Sequence, residues 1–578
     1  MGIAWLTTEL LDHLALNAPI DTLVTLAVLL AAVSVVTGLL PHLMQYVRAE
    51  MDRCVSFMAQ HELFCAVERF IGIGKFEDPR FLDQLRLAHH AGGMPNGVVD
   101  SLLGVIRSAI TITGFLGSLL LINTTLTVMV MISGVPVLCV EIWLSRRRAR
   151  MILEISPVER KEFFYADLLS SVEAAKEIRL FGIGPLLRER MQKERRSADA
   201  VKRGVDRRNA LVQSGLSFLA SVVFGGGVLW AVHSAYRGAL TVGGITMFIA
   251  AIASLQSSLV SLAGELSRIH HALLMFGNYS EVVNARPDLP ASASERLPAL
   301  RDGIEFRDVW FRYSEEHPWI LRGVNLFIPH GKSIALVGQN GSGKSTLVKL
   351  LCRFYDPSKG VILWDGVDIK DVAVGELRER VVAVFQEYMR YDMTAAENIE
   401  LGDVAAAGDR RRIEEAARLA GVHDDLVSLP QGYGTLLTRA FFAGSEQKDD
   451  QVGVVLSGGQ WQRLAIARGL LRSSPDLMIL DEPSAGLDAI AEFEMHARLA
   501  QHRHGRTSLL ISHRLNTVRA ADRIFVISSG EIVEEGDHDS LMDLGGEYSC
   551  LFTLQASGYQ DQSTVESSSV SVSSPGPF

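Results

Sequence analysis

At 578 residues the chain has room for more than one domain, and its mean hydropathy of +0.20 averages two unlike regions. A formal charge of −10, with no basic stripe carrying interleaved aromatics, speaks against a nucleic-acid partner. The five cysteines (Cys54, Cys65, Cys139, Cys352, Cys550) form neither a CxxC pair nor metal-ligand spacing, and read as free thiols.

No cleavable signal with a basic n-region opens the sequence. Residues 22–41, "TLVTLAVLLAAVSVVTGLLP", are uncharged. At about 20 residues they are long enough as helix to cross roughly 30 Å of hydrocarbon. Residues 108–140 are also uncharged, and polar Asn123–Thr125 break that run into an expected helical hairpin whose arms extend beyond it at both ends. Two more uncharged runs, Ala210–Tyr236 and Gly238–Gly264, flank Arg237, so five spans are expected in a transmembrane domain over 1–275. Residues 145–209 hold "SRRRAR", "RERMQKERR" and "VKRGVDRR", and the positive-inside rule puts them in the cytoplasm. Residues 45–100, with Lys75, Arg80 and Arg86, fall on the same side as long helical extensions. The span at 22–41 then runs inward, leaving residues 1–20 outside. "IAWLTTELLDHLAL" reads as the outer end of a helix followed by an external turn, with Glu9 and Asp12 facing water.

Residues 276–300, with "RPDLPASASERLPA", read as a linker, 301–556 as a cytoplasmic α/β domain, and 557–578 as a disordered tail too poor in apolar residues to fold. The α/β domain opens its chemistry with "SIALVGQNGSGKST", an apolar strand, a glycine-rich turn and a helix start. Gly338, Gln339, Asn340, Gly341, Ser342, Gly343, Lys344, Ser345 and Thr346 form a phosphate loop there. Its backbone N–H groups close around phosphates, Lys344 reaches the β/γ-phosphates and Ser345 ligates Mg²⁺. In "LMILDEP" an apolar strand delivers two carboxylates at its tip. Asp481 is expected in the Mg²⁺ shell, and Glu482 to position or deprotonate a water.

Together these segments resemble the ATP-binding cassette of ABC transporters, P-loop α/β domains that follow an α-helical transmembrane domain of six spans. The resemblance implies ATP and Mg²⁺ as cofactors and ATP hydrolysis coupled to transport, and against its six spans it implies that the first is absent or truncated here. It assigns Tyr313 to stacking on adenine, Gln386 to linking Mg²⁺ and water to the membrane domain, Asp488 to cross-dimer communication and His513 to the γ-phosphate. It also explains "LSGGQ": Ser457, Gly458, Gly459 and Gln460 contact the ATP bound by the opposite cassette, head to tail. A chain with one cassette then needs a second half-transporter, a homodimer being favoured by the complete catalytic set and a heterodimer the alternative. Three features look like bacterial exporters of lanthipeptides and related natural products: "FEDPRFLDQL" at 76–85, "EAAKEIRLFGIG" at 173–184, and Trp461 directly after the signature. The second would contain a coupling helix docking in a cassette groove through Glu177, Arg179 and Phe181. Between Thr435 and the signature the chain is longer than usual for the family and lacks the glycine-acid-x-glycine element, and "SAGLD" replaces "TSALD". The implied function is export of an amphiphilic peptide or related product across a bacterial plasma (inner) membrane, with membrane lipid around it. A lipid or glycolipid flippase and a cassette-gated sensor or channel are the alternatives.

Overall fold

The computed structural model describes residues 2–92, 97–122, 124–290, 295–438, 453–472, 475–484, 489–503 and 505–555. Its contacts divide the chain into two compact units, one of Met1–Glu68 with Pro79–Ala285 and one of Arg69–Asp78 with Arg286–Phe578.

The first unit is helical. α1 (Gly2–Ala15) and α2 (Ile20–Glu68) come first, and α3 (Gly74–Glu77) lies in the segment that folds with the second unit. α4 (Pro79–Gly92), α5 (Gly97–Ile122), α6 (Thr124–Ser170), α7 (Val172–Leu180), α8 (Gly184–Tyr236) and α9 (Val242–Val283) follow. Among the described residues α2, α5, α8 and α9 are long and apolar enough to cross a membrane, while α6 offers the shorter apolar stretch Gly134–Leu144. α5 and α6 lie on either side of Asn123, where the hairpin was expected. Phe115 and Leu119 of α5, Ala231 of α8 and Met247, Phe248 and Leu255 of α9 are buried together. Farther along, Lys202 pairs with Glu159 at 2.8 Å and Arg195 with Glu162 at 3.0 Å, joining α8 to α6.

One expectation changes here. Asp12 does not simply face water: its Oδ1 accepts from the Gly243 amide at 2.7 Å, in the first turn of α9. Unpaired N–H groups and a positive partial charge at a helix N-terminus favour a carboxylate there. Glu9 sits near His13 at 3.7 Å.

The second unit carries two sheets. A four-stranded antiparallel one has the order β2-β1-β4-β5, from β1 (Gly303–Phe311), β2 (Leu321–Pro329), β4 (Lys359–Trp364) and β5 (Val367–Asp368). The six-stranded sheet has the order β10-β9-β3-β8-β7-β6, from β3 (Ser333–Val337), β6 (Val381–Val384), β7 (Leu477–Asp481), β8 (Thr507–Ile511), β9 (Arg523–Ser528) and β10 (Glu531–Gly536). β9, β3, β8, β7 and β6 run parallel, with Leu336 opposite both Ile511 and Phe525, and β10 is an antiparallel edge. β7 and β8 are buried along their whole length, as strands covered on both faces must be. α10 (Lys344–Leu351) follows β3, and α11 (Val374–Arg380) precedes β6. α12 (Ala395–Glu400), α13 (Arg410–Leu419), α14 (His423–Val427) and α15 (Gly458–Leu470) pack a second core in which Trp461 is 3% exposed. α16 (Ala489–Arg503), α17 (Leu515–Val518) and α18 (His538–Leu544) complete the named helices, and residues 547–555 are helical.

The segment Arg69–Asp78, read from sequence as part of the membrane half, is held by this unit. Asp288 Oδ1 accepts from the amides of Ile71 at 2.9 Å and Gly72 at 3.1 Å, and Arg378 Nη2 donates to the Ile71 carbonyl at 2.8 Å. Lys349 reaches Glu77 at 2.8 Å, and the Tyr355 hydroxyl also donates to Glu77.

Candidate nucleotide site

β3 leads straight into the phosphate loop. At Gly338 φ is +157° and a Cβ would lie 2.2 Å from the Ile527 carbonyl oxygen, so the loop's entry has room only for glycine. Gly343, at φ +112°, sits before α10. Lys344 Nζ donates to the carbonyls of Gly338 at 2.7 Å and Gln339 at 2.9 Å. Burial pushes its pKa down, against the pull of Glu482 and Asp481. The Ser342 hydroxyl is buried and has no hydrogen-bond partner among the described residues.

At the tip of β7, burial pushes the Asp481 carboxyl up to about 6, helped by the charge of Glu482 and opposed by a hydrogen bond with Ser345 and by Lys344. Serine hydroxyl and aspartate carboxylate thus meet as a pair of hard oxygen donors. Glu482 stands in the left-handed region at φ +50°. Its Oε1 lies 2.7 Å from His513 Nε2, its Oε2 accepts from Gln386 Nε2 at 3.1 Å, and its amide donates to the Ile511 carbonyl at 2.9 Å. The three residues assigned to hydrolysis from dispersed motifs therefore converge on one carboxylate.

A cavity of about 520 Å³ brings them together with Tyr313, Asn340, Gly341, Gly343, Lys344, Ser345 and Thr346. Gly338, Gln339, Asn340 and His513 also line a neighbouring cavity against the helix at 547–555. The Tyr313 hydroxyl meets Thr346 Oγ1 at 3.1 Å, and its ring stands edge-on to those of Phe311 and Tyr355.

Ser457–Gln460 stand apart and do not line the main cavity. Ser457 Oγ accepts from the Gln460 amide and Gln460 Oε1 from the Ser457 amide, a capping box that starts α15. Gln460 Nε2 also donates to Asp425 at 3.0 Å. Ser457 and Gly458 are exposed. Asp488, the long segment at 439–452 and the tail at 557–578 lie outside the described residues.

Four neighbours escaped the sequence reading. Lys349 lies 5.3 Å from the Tyr313 ring, and Tyr355 packs beside it. Gln462 Nε2 donates to the Glu482 carbonyl at 3.3 Å, and Gln555 Nε2 to the His513 carbonyl at 3.0 Å. Lys349 could have been found by spacing, one helical turn after Ser345. Gln555 left no sequence signal.

Residues 321–485 match the ABC transporter family, and residues 86–259 match the ABC transporter transmembrane region. An ATP-dependent lipid A-core flippase of Nitrosococcus oceani is 30% identical over 570 residues, 96% of this chain and 90% of that protein. The flippase of Syntrophus aciditrophicus is 36% identical over 348 residues, where the chain spans only 55% of the relative's length. A sophorolipid transporter of Starmerella bombicola is 39% identical over 56% of this chain and 24% of its own. These relatives carry lipid names, where the sequence elements had pointed to lanthipeptide exporters. In solved structures the fold is that of a bacterial Atm1-family ABC exporter with ATP bound, at TM-score 0.78 and 23% identity over 96% of this chain and 94% of that one. With the family's transmembrane region at 86–259 and its cassette at 321–485, the chain belongs to the ABC transporter family.

Proposed function

We propose that the protein is an ATP-driven exporter of an amphiphilic lipid or glycolipid, working as a dimer in a bacterial inner membrane. The observation that carries the ATPase part is the convergence of Gln386, Glu482 and His513 beside the phosphate loop. The residues present fit a magnesium-bound nucleotide. Ser342 has a buried hydroxyl without a partner among the described residues, the loop entry has no room for a Cβ, and Ser345 and Asp481 supply the hard oxygens that Mg²⁺ prefers. Tyr313 would hold the base, Lys344 and Thr346 the phosphates, and Ser345 with Asp481 the cation. Bound Mg²⁺ would neutralise developing charge on the phosphoryl oxygens. Glu482, steadied by Gln386 and His513, is the group placed to take a proton from water.

The dimer reading rests on Ser457 and Gly458, which are exposed and do not line the cavity that holds the phosphate loop. Val172, Leu180 and Phe181 around α7 are 83%, 79% and 65% exposed, an apolar surface suited to docking on a second copy. For the cargo, the lipid names of the relatives favour the flippase alternative over the peptide first expected. The experiment is ATPase activity of the purified chain in nanodiscs, titrated with a lipid A-core glycolipid and, in parallel, an amphiphilic cationic peptide. Stimulation by the glycolipid alone supports the reading. Stimulation by the peptide alone restores the first expectation, and hydrolysis indifferent to both favours a gate or sensor.

A further inference from the structure

Glu482 is gripped by its backbone as well as by its side chain. A residue with a Cβ at φ +50° is strained and persists only where its surroundings over-determine it. On one side its amide donates to Ile511 at the end of β8. On the other its carbonyl accepts from Gln462 Nε2 at 3.3 Å. Gln462 is 2% exposed, and its Oε1 has no hydrogen-bond partner among the described residues. A buried amide with one unpaired end weakens a fold, and an apolar side chain of similar volume would fill the same space at less cost. Packing alone does not account for a glutamine here.

Its position in the chain does. Gln462 lies on α15, two residues after Gln460, which closes the capping box with Ser457. The first turn of α15 is thus locked to the residue that touches Glu482, and a displacement of that turn moves both. At 3.3 Å the Gln462 bond stands just beyond the usual range for N–H to oxygen, where a few tenths of an ångström decide its strength.

We propose that Gln462 is a positioning residue that holds Glu482 in its left-handed turn and ties that turn to the seating of the Ser457–Gln460 segment on the partner's nucleotide. The signature helix then acts twice, in trans through its cap and in cis through Gln462. The second half of this inference rests on the head-to-tail dimer proposed above.

The test uses the full chain in nanodiscs, with Q462M, which fills the space without a donor, and Q462E, which keeps the shape but presents an oxygen to the carbonyl. Both are expected to lower kcat about tenfold or more while KM for ATP stays within about twofold. In a linked dimer, Q462M and E482Q in the same half damage one site and spare the other, whereas in opposite halves they damage both. Unchanged kcat in a folded Q462E dimer overturns the inference, as does equal residual turnover in the two linked arrangements. Should Q462M fail to fold, Q462E carries the same expectations. The ATPase reading itself falls only if Lys344→Ala leaves hydrolysis intact.

Discussion

Asp288→Ala tests how the segment 69–78 is held. One carboxylate oxygen accepts from the amides of Ile71, Gly72 and Leu289, at 2.9, 3.1 and 3.1 Å. Two of these bonds tie the segment down. A hydrogen bond to a charged group contributes about 1.5–3 kcal/mol, and sharing one oxygen argues for the lower end, so their loss costs about 3 kcal/mol locally. That is on the order of a hundredfold in the equilibrium for local opening. Arg378 on the Ile71 carbonyl and Lys75 Nζ on the Arg286 carbonyl at 2.7 Å remain, so the segment loosens without leaving. Amide hydrogen exchange on the full chain in nanodiscs reads this directly. Peptides covering 71–73 should exchange about a hundredfold faster, with β1 unchanged as the internal control. Asp288→Asn, which keeps an acceptor but not its charge, should give an intermediate rise. Gly72→Ala should act alike from the other side, since a Cβ there would lie 2.5 Å from Asp288 Oδ2 and 2.6 Å from the Phe354 carbonyl oxygen. Exchange at Ile71 and Gly72 within about twofold of wild type, or a matching rise in β1, would refute the reasoning.

Three further outcomes are expected. Glu482→Gln should keep ATP binding, slow hydrolysis by about 10²–10⁴-fold and trap a closed dimer; near-normal turnover would remove Glu482 as the catalytic carboxylate. In a linked dimer, Lys344→Ala in one half with Ser457→Arg in the other should spare one ATP site, while both changes in the same half should spread damage over two, as residual ATPase will tell. Gln555→Ala should lower kcat about threefold to tenfold, the worth of one neutral hydrogen bond to the His513 carbonyl, and an unaltered rate would mean that the contact carries no catalytic weight.

The nucleotide site was legible wherever its chemistry is contiguous. The strand, glycine turn and helix start at 333–346 must be adjacent in sequence to work, and the carboxylates at 481–482 must end a buried strand. The membrane helices were legible because a bilayer demands long apolar runs. What sequence could not give is contact between distant positions. Nothing near Gln555 or Gln462 marks them as partners of the His513 and Glu482 carbonyls, because a backbone carbonyl leaves no trace in residue identity. Asp12 was misjudged for a related reason. Its polarity was visible, but the start of α9 that it caps lies 231 positions away.

The docking of 69–78 also sets a timetable. Ile71 is synthesised 217 residues before Asp288 and 307 before Arg378, its two main anchors. At roughly 5–20 residues per second the segment waits about 15–60 s for the surface that will receive it. Until then Phe70, Phe76 and the amides of Ile71 and Gly72 are available to other partners, including chaperones and neighbouring chains. Substitutions there should therefore show first as lost yield and aggregation of newly made chains, before any defect appears in the molecules that do mature.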